Sequence, residues 1–92
     1  MPGIAQDLTN AHVYTDATPP VLLLSAGKGR AGSGDIGTAI TNLKGTLATG
    51  QSIQPGTRYL VSTHGPLDNR TPPLRMMCIH ATPDGYTFST GN

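Results

Sequence analysis

Residues 21–34 carry the sequence VLLLSAGKGRAGSG, in which a compact apolar run passes directly into a segment rich in glycine. The apolar part, residues 21–26, follows two prolines and is short for a helix, which favours a buried strand. The second part, residues 27–34, holds four glycines in eight residues. This density predicts a loop or a set of tight turns, so the stretch indicates a β-rich chain.

The composition of the whole chain favours the same fold class. The 92 residues include 12 glycines, 8 prolines and 13 threonines, and all five acidic residues are aspartate. Glycine, proline and aspartate favour turns, threonine favours strands, and the absence of glutamate removes a good helix former. We therefore predict a small single domain that is mainly β or α+β.

The charge pattern excludes several classes of partner. Six lysines and arginines against five aspartates leave a net charge of +1, and the basic residues are scattered along the chain. Proteins that bind nucleic acid carry clustered basic residues, often interleaved with aromatic ones. No apolar run approaches the roughly 20 residues of a membrane span, and the first residues do not resemble a secretory signal. We expect no nucleic acid and no membrane as partner, and a location in a virion or the cytoplasm.

Residues 35–49 form the one candidate helix. The large apolar residues recur at spacings of four, three and four, which places them on one helical face. They are Ile36, Ile40, Leu43 and Leu47. Asp35 is a suitable N-cap, whereas Gly37 and Gly45 each disfavour a helix by about 1 kcal/mol relative to alanine. Because strand alternation fits the segment less well, we predict one short helix that packs on a sheet or on a partner.

The C-terminal third predicts strands and a hairpin. Residues 58–64 are mostly β-formers, and residues 74–81 form a second run of the same kind. Residues 82–85, Thr-Pro-Asp-Gly, predict a turn, because proline presets φ and Gly85 can adopt a positive φ. Residues 86–90 then return as the partner strand of a C-terminal β-hairpin.

Two registers of this hairpin are open. A bulged three-residue loop pairs Thr82 with Tyr86. The same register places His80 opposite Phe88. A four-residue loop pairs Ala81 with Tyr86 instead, but it requires a helical conformation at the residue before the proline. Because residues before proline avoid that conformation, the first register is favoured.

Residues 1–20 are polar and aperiodic and predict an extended N-terminal arm before a β-rich domain of residues 21–92. Residues 11–15 are the only candidate strand in the arm. We expect its large apolar side chains to contact a partner subunit. These residues are Ile4, Leu8, Val13 and Tyr14.

A thin core is the reason to expect a partner. Valine, isoleucine, leucine and phenylalanine together number 18, tryptophan is absent, and a single cysteine excludes an intrachain disulfide. A lone domain of this size and inventory is marginally stable. We therefore expect other protein subunits to supply buried surface, in a homo-oligomer or in a larger assembly.

The glycine-rich segment also suggests an alternative function. Its glycines match the pattern G-x-G-x-x-G between a predicted strand and a predicted helix, a context in which backbone amides bind phosphate. The acidic residue that accompanies this pattern in dinucleotide-binding folds is missing. The alternative is an anion- or nucleotide-binding module that uses residues 27–34. Its candidate site residues are Gly27, Lys28, Gly29, Arg30, Gly32 and Ser33.

Catalytic and metal chemistry find little support in the sequence. The three histidines, His12, His64 and His80, have no ligand spacing, so we expect no metal and no cofactor. Cys78 lies in a predicted strand and is interpreted as a small buried residue. Cys78 and His80 share a strand face, but no third group completes a catalytic set. We therefore expect no enzymatic activity.

In composition the chain is similar to small phage virion components, such as capsid decoration and tail-associated proteins. These proteins are short, nearly neutral, rich in glycine, threonine and proline, and extended at their termini. The resemblance implies a structural or interaction protein, for example a bacteriophage capsid decoration (cement) protein, that binds neighbouring subunits.

Overall fold

The computed structural model describes residues 5–91, and its architecture is all β. Within these residues there is no helix, and six strands follow one another along the chain. They are β1 (Ala5–Thr15), β2 (Leu22–Gly34), β3 (Gly37–Leu47), β4 (Arg58–Ser62), β5 (Leu74–Thr82) and β6 (Gly85–Ser89). The sheet closes into a barrel in the order β1-β2-β3-β6-β5-β4, and β4 pairs back onto β1. The mainly β prediction is confirmed.

Two antiparallel meanders, β1-β2-β3 and β4-β5-β6, build the barrel and meet at the β1–β4 and β3–β6 seams. Each described strand therefore has a partner on both sides over part of its length, although β1 pairs with β4 only from His12 to Thr15 and β3 pairs with β6 only from Ala39 to Leu43. Apolar side chains from all six strands fill the interior. Near its centre, the ring of Phe88 packs edge-on against Tyr59 at a centroid distance of 6.2 Å.

The segment predicted as a helix is the strand β3, and a β-bulge explains the error. Ile40 lies opposite Phe88 and Leu43 lies opposite Tyr86, so β3 has one residue more than β6 in this interval. Asn42 takes up the extra residue with a φ of 54°. The bulge lets Ile40 and Leu43 both point into the core although they are three residues apart. A spacing of three is also what a helix produces, so the pattern alone predicts the wrong element.

The segment predicted as a glycine-rich loop is the second half of β2. It continues the ladder to β1 and to β3 after a second bulge, at which Ala26 has a φ of 53°. Gly27 and Gly29 are needed because neighbouring backbones approach closely. A Cβ atom on Gly27 would lie 2.8 Å from the carbonyl oxygen of Ala11, and one on Gly29 would lie 2.9 Å from that of Thr41. Glycine here permits close strand contact instead of marking a turn.

The larger part of the predicted N-terminal arm, residues 5–15, is also a barrel strand. β1 is hydrogen-bonded to β2 and to β4, and its residues Leu8, Ala11 and Val13 lie in the core. Leu8 pairs with Gly29 while Ala11 pairs with Gly27, so a third bulge interrupts the alternation of β1. This interruption makes the sequence look aperiodic. The boundary predicted at residue 20 falls in the connection between β1 and β2.

The details of the predicted C-terminal hairpin are not matched. β5 and β6 pair across Pro83 and Asp84, and Ala81 lies opposite Tyr86. The favoured pairing of Thr82 with Tyr86 is therefore wrong. The register shifts between Cys78 and His80, so that Cys78 lies opposite Phe88. This shift buries both side chains in the core.

Candidate binding site at one end of the barrel

A cavity of about 190 Å³ lies at one end of the barrel. Because the strands are antiparallel, the starts of β1, β3 and β5 meet the ends of β2 and β4 at this end. The lining residues come from all five of these places. They are Gln6, Leu8, Ala31, Gly32, Ser33, Thr38, Thr63, His64 and Leu74. We call this the barrel-end cavity.

The lining of the barrel-end cavity combines apolar and neutral polar groups. Leu8 and Leu74 supply apolar surface, and Ser33, Thr38 and Thr63 supply hydroxyl groups. The lining residues include no carboxylate, and a single histidine is the one ionisable group among them. Pockets for drug-sized molecules usually enclose about 300–1,000 Å³. The smaller volume here suits one side chain or a molecule of a few atoms.

The turn between β2 and β3 projects beside this cavity. Gly34 pairs with Gly37, which leaves Asp35 and Ile36 as the two residues of the turn. We call these two residues the hairpin tip. Ile36 is 87% exposed, far more than any other large apolar residue of the described chain. Binding residues often lie on turns that a rigid scaffold presents, so this side chain is a candidate contact for another molecule.

The base of the hairpin tip is held firmly against the C-terminal residues. The backbone N–H of Thr38 donates to Oγ1 of Thr90 at 2.7 Å, and the N–H of Thr90 donates to the carbonyl oxygen of Thr38 at 2.9 Å. The Thr90 hydroxyl also donates to that carbonyl oxygen at 3.2 Å. The tip is therefore presented from a fixed base.

The connection between β4 and β5, residues 63–73, forms another wall of the cavity. The Ser62 hydroxyl donates to the carbonyl oxygen of Gly65 at 2.6 Å. One carboxylate oxygen of Asp68 accepts the backbone N–H groups of Arg70 at 2.8 Å and Thr71 at 2.9 Å. These hydrogen bonds lower the pKa of Asp68 because they stabilise its charged form, and the bond from Thr71 has the largest effect. Local bonds thus shape the connection that carries Thr63 and His64.

The structure gives the four predicted partner contacts different positions. Leu8 and Val13 are buried in the barrel, so they contact their own core, and Leu8 also lines the cavity. Tyr14 is half-buried, stacks on His12 and accepts the N–H of Leu67 at 3.1 Å. Ile4 lies outside the described residues.

The structure does not bring the six predicted anion-binding residues together. Strand alternation turns Gly27 and Gly29 inward, whereas the side chains of Lys28 and Arg30 are on the outside. Gly32 and Ser33 lie further along β2 at the barrel-end cavity. Because the segment is a paired strand, its backbone groups take part in the ladders to β1 and β3. The loop that would hold a phosphate is therefore not formed.

The outer face of β2 does carry basic side chains. Arg30 forms an ion pair with Asp7 at 3.3 Å, and both groups are largely exposed. Lys28 lies directly opposite Lys44 of β3, and both are exposed. This pairing could not be predicted from the sequence, because residues 28 and 44 meet only in the register of the folded sheet.

The candidate catalytic and metal-binding residues are separated. Nδ1–H of His12 donates to the carbonyl oxygen of Asn10 at 3.2 Å, so this buried ring has a partner. Cys78 is buried, and burial raises the pKa of its thiol, which makes it a poor nucleophile. Over residues 5–91, no three His, Cys or Asp side chains are grouped closely enough to hold a metal ion. No helix in that range could cross a membrane.

Neither the lining of the barrel-end cavity nor the hairpin tip could be located from the sequence. Gln6, Thr38, Thr63 and Leu74 become neighbours only when the barrel closes. The hairpin tip has one local signal, an isoleucine within a short segment bounded by Gly34 and Gly37, but the helical spacing explains the same residue.

Comparison with protein-family models, curated proteins and solved structures found no match to this chain.

Proposed function

We propose that the protein is a structural or interaction protein that binds neighbouring protein subunits through the end of the barrel that carries the cavity and the hairpin tip. The observation that carries this proposal is the 87% exposure of Ile36 at the end of a firmly based hairpin. Full burial of an isoleucine side chain stabilises by about 1.5–3 kcal/mol. Contact with a partner would recover that free energy.

The closed sheet determines how such a contact would form. Addition of a partner strand requires a long free strand edge, and the closed sheet leaves only parts of β1 and β3 without a partner on one side. Contact through an N-terminal arm is equally disfavoured, because β1 completes the core of its own chain. The proposal therefore depends on turns and side chains at the barrel end. It does not depend on the earlier argument that a thin core needs buried surface from a partner.

The finer form of the proposal is a bacteriophage virion component, such as a capsid decoration or tail-associated protein. Its support is compositional: a short, nearly neutral chain rich in glycine, threonine and proline. A small closed barrel that presents turns at its ends would suit attachment to a larger protein surface. In this form, the virion subunits would be the partners.

Site-specific photo-crosslinking tests the proposal. A photoreactive residue replaces Ile36 at the hairpin tip, and in a control chain it replaces the exposed Gln51, which follows β3 at the opposite barrel end. Both chains are expressed in the source organism, and the crosslinked peptides are identified by mass spectrometry. We expect position 36 to yield reproducible crosslinks to defined protein surfaces and position 51 to yield none of them. Equal, scattered crosslinking from both positions would overturn the proposal.

The alternative function, anion binding, has one observation in its favour. Lys28 and Lys44 face each other across β2 and β3, and like charges in that position destabilise a sheet. A phosphate-like anion between them would offset the repulsion, on the outside of the barrel instead of in a glycine-rich loop. This form of the alternative predicts that phosphate raises the Tm of the protein and that Lys28→Thr removes the increase. The exposed Arg70→Thr variant is the control for general salt effects.

A further inference from the structure

The barrel-end cavity and the hairpin tip are complementary features of one chain. We infer that Ile36 of one copy inserts into the barrel-end cavity of a second copy, and that the second copy returns the same contact. This inference rests on the proposed function and names its partner, a second copy of this chain. Three observations support it: the size of the cavity, the position of the tip beside it, and the charges of both.

Size selects a side chain as the occupant. The cavity of about 190 Å³ lies below the range typical of pockets for drug-sized ligands, and its lining includes Leu8, Ala31 and Leu74. An aliphatic side chain would meet apolar surface from these residues and leave the hydroxyl groups of the lining near the polar backbone of its turn. Ile36 is such a side chain, and its exposure shows that it does not fill the cavity of its own chain.

Position permits a reciprocal contact. The same hairpin supplies part of the cavity wall, through Gly32, Ser33 and Thr38, and carries Ile36 at its tip. In a two-fold dimer each surface patch contacts its own equivalent, so a residue and its target must lie within one patch. The hairpin tip and the cavity meet this condition. Ile36 is only a few residues from Ser33 on β2 and from Thr38 on β3, and both of these residues line the cavity. Two insertions would form together, and the contact would close at two copies.

Charge is compatible with the same arrangement. The hairpin tip carries one charged side chain, Asp35, whereas the cavity lining contains no carboxylate and has His64 as its ionisable group. The nearby Asp7 is already paired with Arg30. The incoming Asp35 would thus meet no carboxylate among the lining residues, and the lining histidine, His64, already lies close enough to Asp68 to interact with its charge.

Sedimentation measurements on the purified full chain test the inference. We expect a concentration-dependent equilibrium between monomer and dimer. Ile36→Ser should weaken dimerisation by about tenfold for each of the two insertions. Ser33→Phe, which fills the mouth of the cavity, should weaken it similarly. Val21→Ser removes another exposed apolar side chain, at the opposite barrel end, and should leave the equilibrium unchanged.

Crosslinking on mixed isotopes identifies the contact. A purified chain with a photoreactive residue at position 36 is mixed with ¹⁵N-labelled unmodified chain and irradiated. Crosslinks between light and heavy peptides that contain residues 31–33, 38, 63–64 or 74 are expected. A wild-type chain that stays monomeric at all concentrations, or an Ile36→Ser variant that dimerises as well as wild type, would overturn the inference. If position 36 nevertheless crosslinks to another protein in the source organism, the proposed function stands and only the self-contact fails.

Discussion

The backbone N–H of Leu67 donates a hydrogen bond of 3.1 Å to the hydroxyl oxygen of Tyr14, which joins the end of β1 to the connection between β4 and β5. These two residues are 53 positions apart in the chain. The bond ties down residues 63–73, and this connection carries Thr63 and His64 at the barrel-end cavity. A contact far from the hairpin tip thus helps to shape the site.

Removal of this hydroxyl should loosen the cavity wall. We expect Tyr14→Phe to lower the free energy of unfolding by about 1 kcal/mol, because the Leu67 N–H loses its acceptor. Denaturant unfolding measures the loss, and amide hydrogen exchange should show faster exchange at Leu67. Tyr86→Phe is the matched control, because its hydroxyl makes no hydrogen bond to residues 5–91. Equal effects of the two variants would contradict the role assigned to Tyr14.

The same connection should make stability depend on pH. Hydrogen bonds from the N–H groups of Thr71 and Arg70 lower the pKa of Asp68 below its ordinary value of 3.8. A carboxylate with a depressed pKa in the folded state stabilises that state above the unfolded pKa, and the contribution is lost as pH falls through the folded value. Asp68→Ala should therefore unfold more readily than wild type at pH 7. The difference should shrink on acidification below about pH 4. A difference that persists in acid would exclude this explanation.

The glycines of β2 should differ sharply in their tolerance of a side chain. Gly27→Ala places a Cβ atom 2.8 Å from the carbonyl oxygen of Ala11, so we expect a loss of about 1–3 kcal/mol in the free energy of unfolding. Gly32→Ala is the control, because no heavy atom lies within 4 Å of its new Cβ. That variant should be neutral or slightly stabilising. Thermal and denaturant unfolding of both variants give the comparison. Similar tolerance at both positions would indicate that the segment is a loop.

Sequence patterns predict this fold where strand alternation is unbroken and fail where a bulge interrupts it. Residues 58–62 and 74–82 follow their patterns closely enough for both strands to be predicted. In β3, the bulge at Asn42 turns a strand into an apparent helix, and in β1 a bulge between Leu8 and Ala11 hides the alternation. A small barrel needs such bulges to curve its sheet, so the errors arise from the closure itself.

The candidate site is harder to predict than the strands. Its residues, from Gln6 to Leu74, come from separate strands and carry no common motif. Glycine density also has two physical meanings, turns and close strand contact, and only the folded neighbours of Gly27 decide between them. Ile36 fits a helical stripe in the sequence, yet in the structure it lies in a turn. Its exposure, the property that matters for function, is set by the hairpin.

The bulge at Asn42 gives the last prediction. Asn42 has a φ of 54°, a left-handed conformation that asparagine and glycine adopt readily and β-branched residues avoid. We expect Asn42→Val to lose about 1–2 kcal/mol of unfolding free energy, whereas Asn42→Gly should stay within a few tenths of wild type. Because Asn42 is exposed, burial does not contribute to the difference. Denaturant unfolding measures both variants, and Thr46→Val on the same strand controls for the introduction of valine. If Asn42→Val proved as stable as Asn42→Gly, the segment would not contain this bulge, and the inward orientation of both Ile40 and Leu43 would need another explanation.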